Sequence, residues 1–202
     1  MPNPSPQRLG LLGGTFDPPH RGHLAAALAV RDALSLDRVD LLVANDPWQK
    51  SGERAVTPAA LRLQMVQALV EGCEGIGVDD REVRRGGPTY TVETLEELAI
   101  EQPGTEVFLI VGQDTADRIH TWHRHTDLLA LSTLVIVNRD QNVQQMPAVL
   151  AGARVHSVTM PLVDVSSTTV RASVAAGNDV SSLTSPAVST VIRANGLYGA
   201  IA

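Results

Sequence analysis

A chain of 202 residues, 44% apolar and 19% charged, can bury one sizeable core and is too apolar to be disordered. Its net charge of −6, with Lys50 as its single lysine, excludes a general nucleic-acid binder, which needs a basic face. No run approaches the ~18 apolar residues of a membrane span, and one cysteine, Cys73, excludes an internal disulfide and points to a reducing cytosol.

Residues 1–8, rich in Pro, Asn and Ser, read as a short disordered tail ahead of a single domain over 9–202. Residues 9–14 read as a buried strand ending in glycines, and 21–34 as an Ala/Leu-rich helix. A second apolar strand covers 39–44. Thr57-Pro58 predicts a helix start with Pro at the first helical position, followed by Leu61, Met65, Val66, Leu69 and Val70 on one face. A weaker strand covers 76–83. Thr91 is placed to cap a helix whose face is Val92, Leu95, Leu98 and Ala99. Residues 107–111 form a continuous apolar strand that ends at Gly112; 134–137 and, more poorly, 155–158 are two more. Residues 141–147 read as a polar loop, and Ser185-Pro186 opens a last helix that stops near Asn195-Gly196. Continuous apolar strands alternating with helices predict an α/β fold: a Rossmann-like, doubly wound, mostly parallel sheet with helices on both faces.

The corner at residues 13–23, Gly-Gly-Thr-Phe-Asp-Pro-Pro-His-Arg-Gly-His, carries chemistry. Ligands of open α/β sheets bind at the carboxyl ends of strands. Glycines there let a phosphate approach the backbone, and the next helix offers free N–H groups and a positive dipole end. His20 and His23, three apart, point the same way on a first helical turn and can donate to phosphate oxygens. Nucleotidyl transfer is mostly positioning and charge stabilisation, so no covalent step is needed.

Gly13-Gly14-Thr15-Phe16-Asp17-Pro18-Pro19-His20-Arg21-Gly22-His23 resembles the signature of nucleotidyltransferases with a His-x-Gly-His motif, nearest the bacterial nicotinate-nucleotide adenylyltransferase family. That resemblance runs over roughly residues 8–199 and implies transfer of AMP from ATP to nicotinate mononucleotide. It implies His20, His23 and Arg171 as catalytic residues. Val165-Ser166-Ser167-Thr168-Thr169-Val170-Arg171 is similar to the family's phosphate-binding helix start, with Ser166 or Ser167 as cap. Gly112-Gln113-Asp114 is similar to its Gly-x-Asp. The implied ATP contacts are Gly13, Gly14, Thr15, Phe16, His20, His23, Gly112, Asp114, Ser167, Thr168 and Arg171. Gly86-Gly87-Pro88-Thr89-Tyr90-Thr91 is similar to the segment whose backbone N–H groups hold the nicotinate carboxylate, and Trp122 to a tryptophan lying on the pyridine. Thr89, Tyr90, Trp122 and Lys50 are thus implied for the mononucleotide. The closing segment through Tyr198 carries a packing role only. Mg²⁺ is implied as the cofactor, carried in on the ATP phosphates rather than held by a protein metal site. Asp46-Pro47-Trp48-Gln49-Lys50 departs from the family's Pro-Pro-His-Lys.

Alternatives stay open. His120, His123 and His125 lie close in sequence but lack a familiar zinc spacing, and they read as structural or solvated. A nicotinamide-mononucleotide or pantetheine-phosphate adenylyltransferase of the same superfamily, or a non-catalytic nucleotide sensor, would share the first motif. Neither a nucleic acid nor a membrane is expected as partner. A homo-oligomer is left open.

Overall fold

The computed structural model describes residues 7–46, 55–138 and 147–200. At its centre a six-stranded sheet contains β1 (Arg8–Gly14), β2 (Arg38–Val43), β3 (Ile76–Asp79), β4 (Glu106–Gly112), β5 (Thr133–Asn138) and β6 (Val155–Thr159). The spatial order is β3-β2-β1-β4-β5-β6 and every neighbouring pair is parallel. Around it lie α1 (Arg21–Leu34), α2 (Ala59–Val70), α3 (Arg81–Arg85), α4 (Thr91–Glu101), α5 (Gln113–Ala116), α6 (His125–Leu131), α7 (Ser167–Ala175) and α8 (Pro186–Ala194). The doubly wound α/β reading holds, with a sheet that is wholly parallel.

Both faces of the sheet are covered, which is why its strands read as unbroken apolar runs. Leu9, Leu11, Leu109 and Val111 pack under Val92, Leu95 and Leu98 of α4. On the other face Leu12, Leu41, Val43 and Ile110 meet Met65 and Val66 of α2 and Val188 and Ile192 of α8. Each such side chain contributes about 1.5–3 kcal/mol of burial. Strand order reverses between β1 and β4, and a crevice opens at their carboxyl ends, as the topology requires.

Several boundaries differ from the sequence reading. Arg8 is the first residue of β1, not the end of a tail, and its N–H donates to Asp37. The strand read over 76–83 stops at Asp79, whose carboxylate accepts the Arg81 N–H at 2.9 Å and Arg81 Nε at 2.7 Å; that local turn starts α3. Helix α2 begins one residue after Pro58, which sits at the cap. Thr91 is the first residue of α4 rather than its cap, and Ala99 is exposed. The core face of α2 is Arg62, Met65, Val66, Leu69 and Val70, with Leu61 only half-buried. Ser185 and Ser166 do cap α8 and α7, accepting from Val188 N and Thr169 N. Residues 141–146 of the polar loop lie outside the described residues.

Candidate active site

A cleft of about 350 Å³ lies at the carboxyl ends of β1 and β4, near the small end of the usual ligand-pocket range. Gly13, Gly14 and Thr15 of the first strand, Gly112 of the fourth, and His23 of α1 line one end. Thr89, Tyr90, Trp122 and His123 line the other.

The histidine end is built in layers. His20 is the N-cap residue of α1 and is 4% exposed. Its backbone N–H donates to Nδ1 of His23 at 3.1 Å. That bond places the ring proton of a neutral His23 on Nε2, so Nε2 is the donating nitrogen. The His20 ring stacks on the His23 ring, with centroids 3.7 Å apart, and Phe16 meets His23 edge-on at 4.9 Å. Two glycines make the room: a Cβ on Gly14 would fall 2.8 Å from the Phe16 ring, and one on Gly22 would fall 3.0 Å from the His20 ring.

The loop below these rings is tied down by residues far away in sequence. Arg171 Nη1 donates to the Asp17 carbonyl at 2.8 Å, and the Ser167 hydroxyl to the Pro18 carbonyl at 2.9 Å. Tyr198 donates to the Asp17 carboxylate, which also accepts the Thr57 N–H at 3.3 Å. Arg62, 1% exposed, donates to the carbonyls of Thr15 and Ala44 through Nη1, of Asn45 through Nη2, and of Thr57 through Nε. Burial pushes the Arg62 pKa below the ordinary arginine value, and the charge of Asp17 opposes that shift. A buried guanidinium is tolerable because its donors are satisfied.

At the opposite end Thr89 Oγ1 accepts the N–H groups of Asn45 at 3.0 Å and Asp46 at 3.3 Å, joining the segment after β2 to the turn before α4. Tyr90 is the N-cap residue of α4 and supplies no side-chain cap, leaving the positive end of the helix toward the cleft. Tyr90 and His123 hold their rings 4.6 Å apart. Buried at 2% exposure, Glu82 also lines the cleft; desolvation raises its pKa to about 7, against the opposing effects of the Thr94 hydroxyl and the Arg85 charge.

Residues 11–173 match the family model described as cytidylyltransferase-like. A probable nicotinate-nucleotide adenylyltransferase of Methylibium petroleiphilum is 40% identical, over 94% of this chain and 90% of its own. The chain belongs to the nicotinate-nucleotide adenylyltransferase family. A second member, from Corynebacterium kroppenstedtii, is 39% identical over 95% of this chain and 90% of its own. Among solved structures, the Plasmodium falciparum nicotinic acid mononucleotide adenylyltransferase complexed with NaAD superposes with a TM-score of 0.78. It covers 95% of this chain and 97% of that one at 16% identity, a likeness of fold.

Of the residues the family resemblance implied, the cleft gathers Gly13, Gly14, Thr15, His23, Gly112, Thr89, Tyr90 and Trp122 on its walls. Others stand elsewhere. Phe16, 2% exposed, supports Gly14 and His23 from beneath, so its side chain is framework. His20 lies behind His23. Ser167 and Arg171 bind the backbone of the signature loop, and Thr168 accepts from Arg171 Nη2 at 3.0 Å. Asp114 is exposed in the first turn of α5, while its neighbour Thr115 faces the cleft. Lys50 lies outside the described residues.

Sequence reasoning missed Arg62, Glu82, His123 and Tyr198. Arg62 left a signal: an arginine at the i−3 position to Met65 and i−4 to Val66 stands on the apolar face of its helix. For Tyr198 the sequence implies packing alone, whereas its hydroxyl bonds the signature loop. His123, which reads with His120 and His125 as structural or solvated, lines the cleft. Among the described residues no group of three or more His, Cys, Asp or Glu is arranged to hold a metal ion.

Proposed function

We infer that this chain transfers AMP from ATP to nicotinate mononucleotide, giving deamido-NAD and pyrophosphate for NAD biosynthesis. One observation carries the reading: a single cleft joins the His23–glycine corner to an aromatic pocket at the uncapped start of a helix. The first fits nucleotide phosphates. The second fits a planar ring bearing an anion.

In the mechanism we propose, a phosphate oxygen of the mononucleotide attacks the α-phosphorus of ATP in line. The bond from that phosphorus to the bridging oxygen breaks, and pyrophosphate leaves with the electron pair. Gly13, Gly14 and Thr15 let the phosphates reach the backbone. His23 donates from Nε2 to the charge developing around the α-phosphorus, and His20 fixes the His23 ring by stacking and through its backbone N–H. Arg171 and the start of α7 add positive charge from the far side of the loop. Trp122 and Tyr90 hold the pyridine.

Mg²⁺ fits as a companion of ATP. Within the signature corner Asp17 is the one carboxylate, and its two oxygens accept from Tyr198 and Thr57. The metal would therefore rest on phosphate oxygens, where it neutralises triphosphate charge. A cytosolic setting suits the lone Cys73, and no helix among the described residues is long and apolar enough to cross a membrane.

The test mixes the protein with ATP, Mg²⁺ and one acceptor at a time and follows pyrophosphate. Turnover with nicotinate mononucleotide is expected. Turnover with phosphopantetheine alone, or with no acceptor at all, would sink the reading.

A further inference from the structure

Glu82 is a carboxyl group placed where the proposed substrate brings another. It lines the cleft from α3 while 98% of the residue is shielded, being 2% exposed. Thr94 Oγ1, in the first turns of α4, donates to its Oε1 at 2.8 Å. Its carboxyl therefore stands beside the positive end of α4, the same end that faces the acceptor pocket. Two negative groups drawn to one helix end oppose each other. A carboxylic acid and a carboxylate do not.

We propose that Glu82 is a specificity-determining residue of the acceptor pocket, whose charge state sets how strongly the site prefers a pyridine carboxylate over a pyridine amide. The inference rests on the adenylyltransferase reading above. Its titration near pH 7, caused by burial, makes both charge states accessible at physiological pH. With the carboxyl neutral, the α4 end acts on the substrate anion alone. With it ionised, like charges meet and the advantage of the acid over the amide shrinks.

The surrounding charges leave that role to Glu82. On its own helix Arg85 is paired with Glu97 at 2.7 Å and lies 3.9 Å from Glu93, both on α4. Arg81 is paired with Asp79 of β3 at 2.7 Å and with Glu101 of α4 at 3.0 Å. Asp40 of β2 is paired with Arg38. Tyr90 and His123 line the same cleft. The neighbouring cations pair with other acids; Arg85 acts on Glu82 through space and through the Thr94 hydroxyl, to which its Nη2 donates at 3.2 Å, and among the described residues none forms an ion pair with Glu82.

Binding of the acid substrate should lift the Glu82 pKa further, by about one unit for a nearby like charge. Proton uptake on binding follows. Starting from a pKa of about 7, such a shift corresponds to about half a proton per site at pH 7.5. Titration calorimetry in two buffers of different ionisation enthalpy reads this directly. Wild-type protein is expected to take up that fraction with nicotinate mononucleotide and nearly none with nicotinamide mononucleotide, which carries the same phosphate. The acid-to-amide ratio of kcat/KM should fall about sevenfold between pH 6 and 8.5. In Glu82→Gln, whose amide oxygen can still accept from Thr94, both the extra uptake and the slope of the ratio should vanish. No uptake by the wild type, or uptake and slope retained in Glu82→Gln, overturns the proposal; in the second case another group owns the proton. The calorimetric reading on wild type stands even if the variant does not fold. Absence of pyrophosphate release from wild type with either mononucleotide would instead strike the functional reading beneath.

Discussion

The hydroxyl of Tyr198 donates to Oδ1 of Asp17 at 2.5 Å, joining residues 181 apart in sequence. It fixes the carboxylate in the middle of the signature loop, between the glycines and the histidines. A hydrogen bond to a charged group of this kind contributes about 1.5–3 kcal/mol. Tyr198→Phe should therefore lower unfolding free energy by that order in urea titration. It should also lower kcat, because His23 rides on the same loop. A variant with wild-type stability and turnover would show the contact to be incidental.

Removal of the imidazole at the cleft tests the charge-stabilising role. His23→Ala should slow turnover by about 10²–10³, the usual cost of one donor to a developing charge. Circular dichroism checks that the variant remains folded. His20→Ala removes the stacking partner while the backbone N–H that orients His23 persists, so it should be the milder of the two.

The Gly14–Phe16 contact makes a prediction about shape. A Cβ at Gly14 falls inside the Phe16 ring envelope, so Gly14→Ala must displace the ring that supports His23. Activity should drop steeply. Pairing it with Phe16→Leu should recover part of the loss; simple additivity of the two changes in a double-mutant cycle would contradict the contact.

Arg62→Met keeps apolar bulk and removes four hydrogen bonds to backbone carbonyls of Thr15, Ala44, Asn45 and Thr57. Asp17 loses its buried counter-charge at the same time. Destabilisation of about 3–5 kcal/mol is expected, read as a large fall in the urea midpoint. A loss under about 1 kcal/mol would mean that water replaces the guanidinium.

Glu82 also governs stability against pH. Its folded pKa, about 7, lies above the ordinary 4.5. The folded state then binds the proton more tightly, so the contribution is full below pH 4.5 and is lost as pH rises through 7. That loss approaches about 3 kcal/mol by pH 8. Glu82→Gln should be more stable than wild type at pH 8 by up to that amount and show little gain at pH 4, measured by denaturant titration at both.

Much of this was legible in the sequence. The apolar strands, the glycines that end them and the serine caps are local features, each fixed by a few adjacent residues; all strands but β3 lie within a residue of the reading, Ser185 caps α8, and of the two serines offered for α7 it is Ser166 that caps. The signature corner reads as an anion site for the same reason, and the structure puts its glycines, Thr15 and His23 on the cleft wall. What escaped depends on distance. The turn after β3 hinges on whether Asp79 folds back on Arg81, which an apolar count does not register. Arg62 and Tyr198 act on carbonyls and carboxylates supplied by other segments, and Glu82 gains its character from burial against Thr94. The order of His20 and His23, one behind the other, follows from stacking rather than from their spacing.

One guanidinium grips the backbone carbonyls of both Asn45 and Thr57, twelve residues apart in sequence. Arg62 reads main-chain oxygens there, so these two contacts ask nothing of the side chains at either position. A segment grafted between Asn45 and Thr57 would start and end on the same two fixed terminals, which makes the buried arginine a clasp for exchanging one stretch of chain for another.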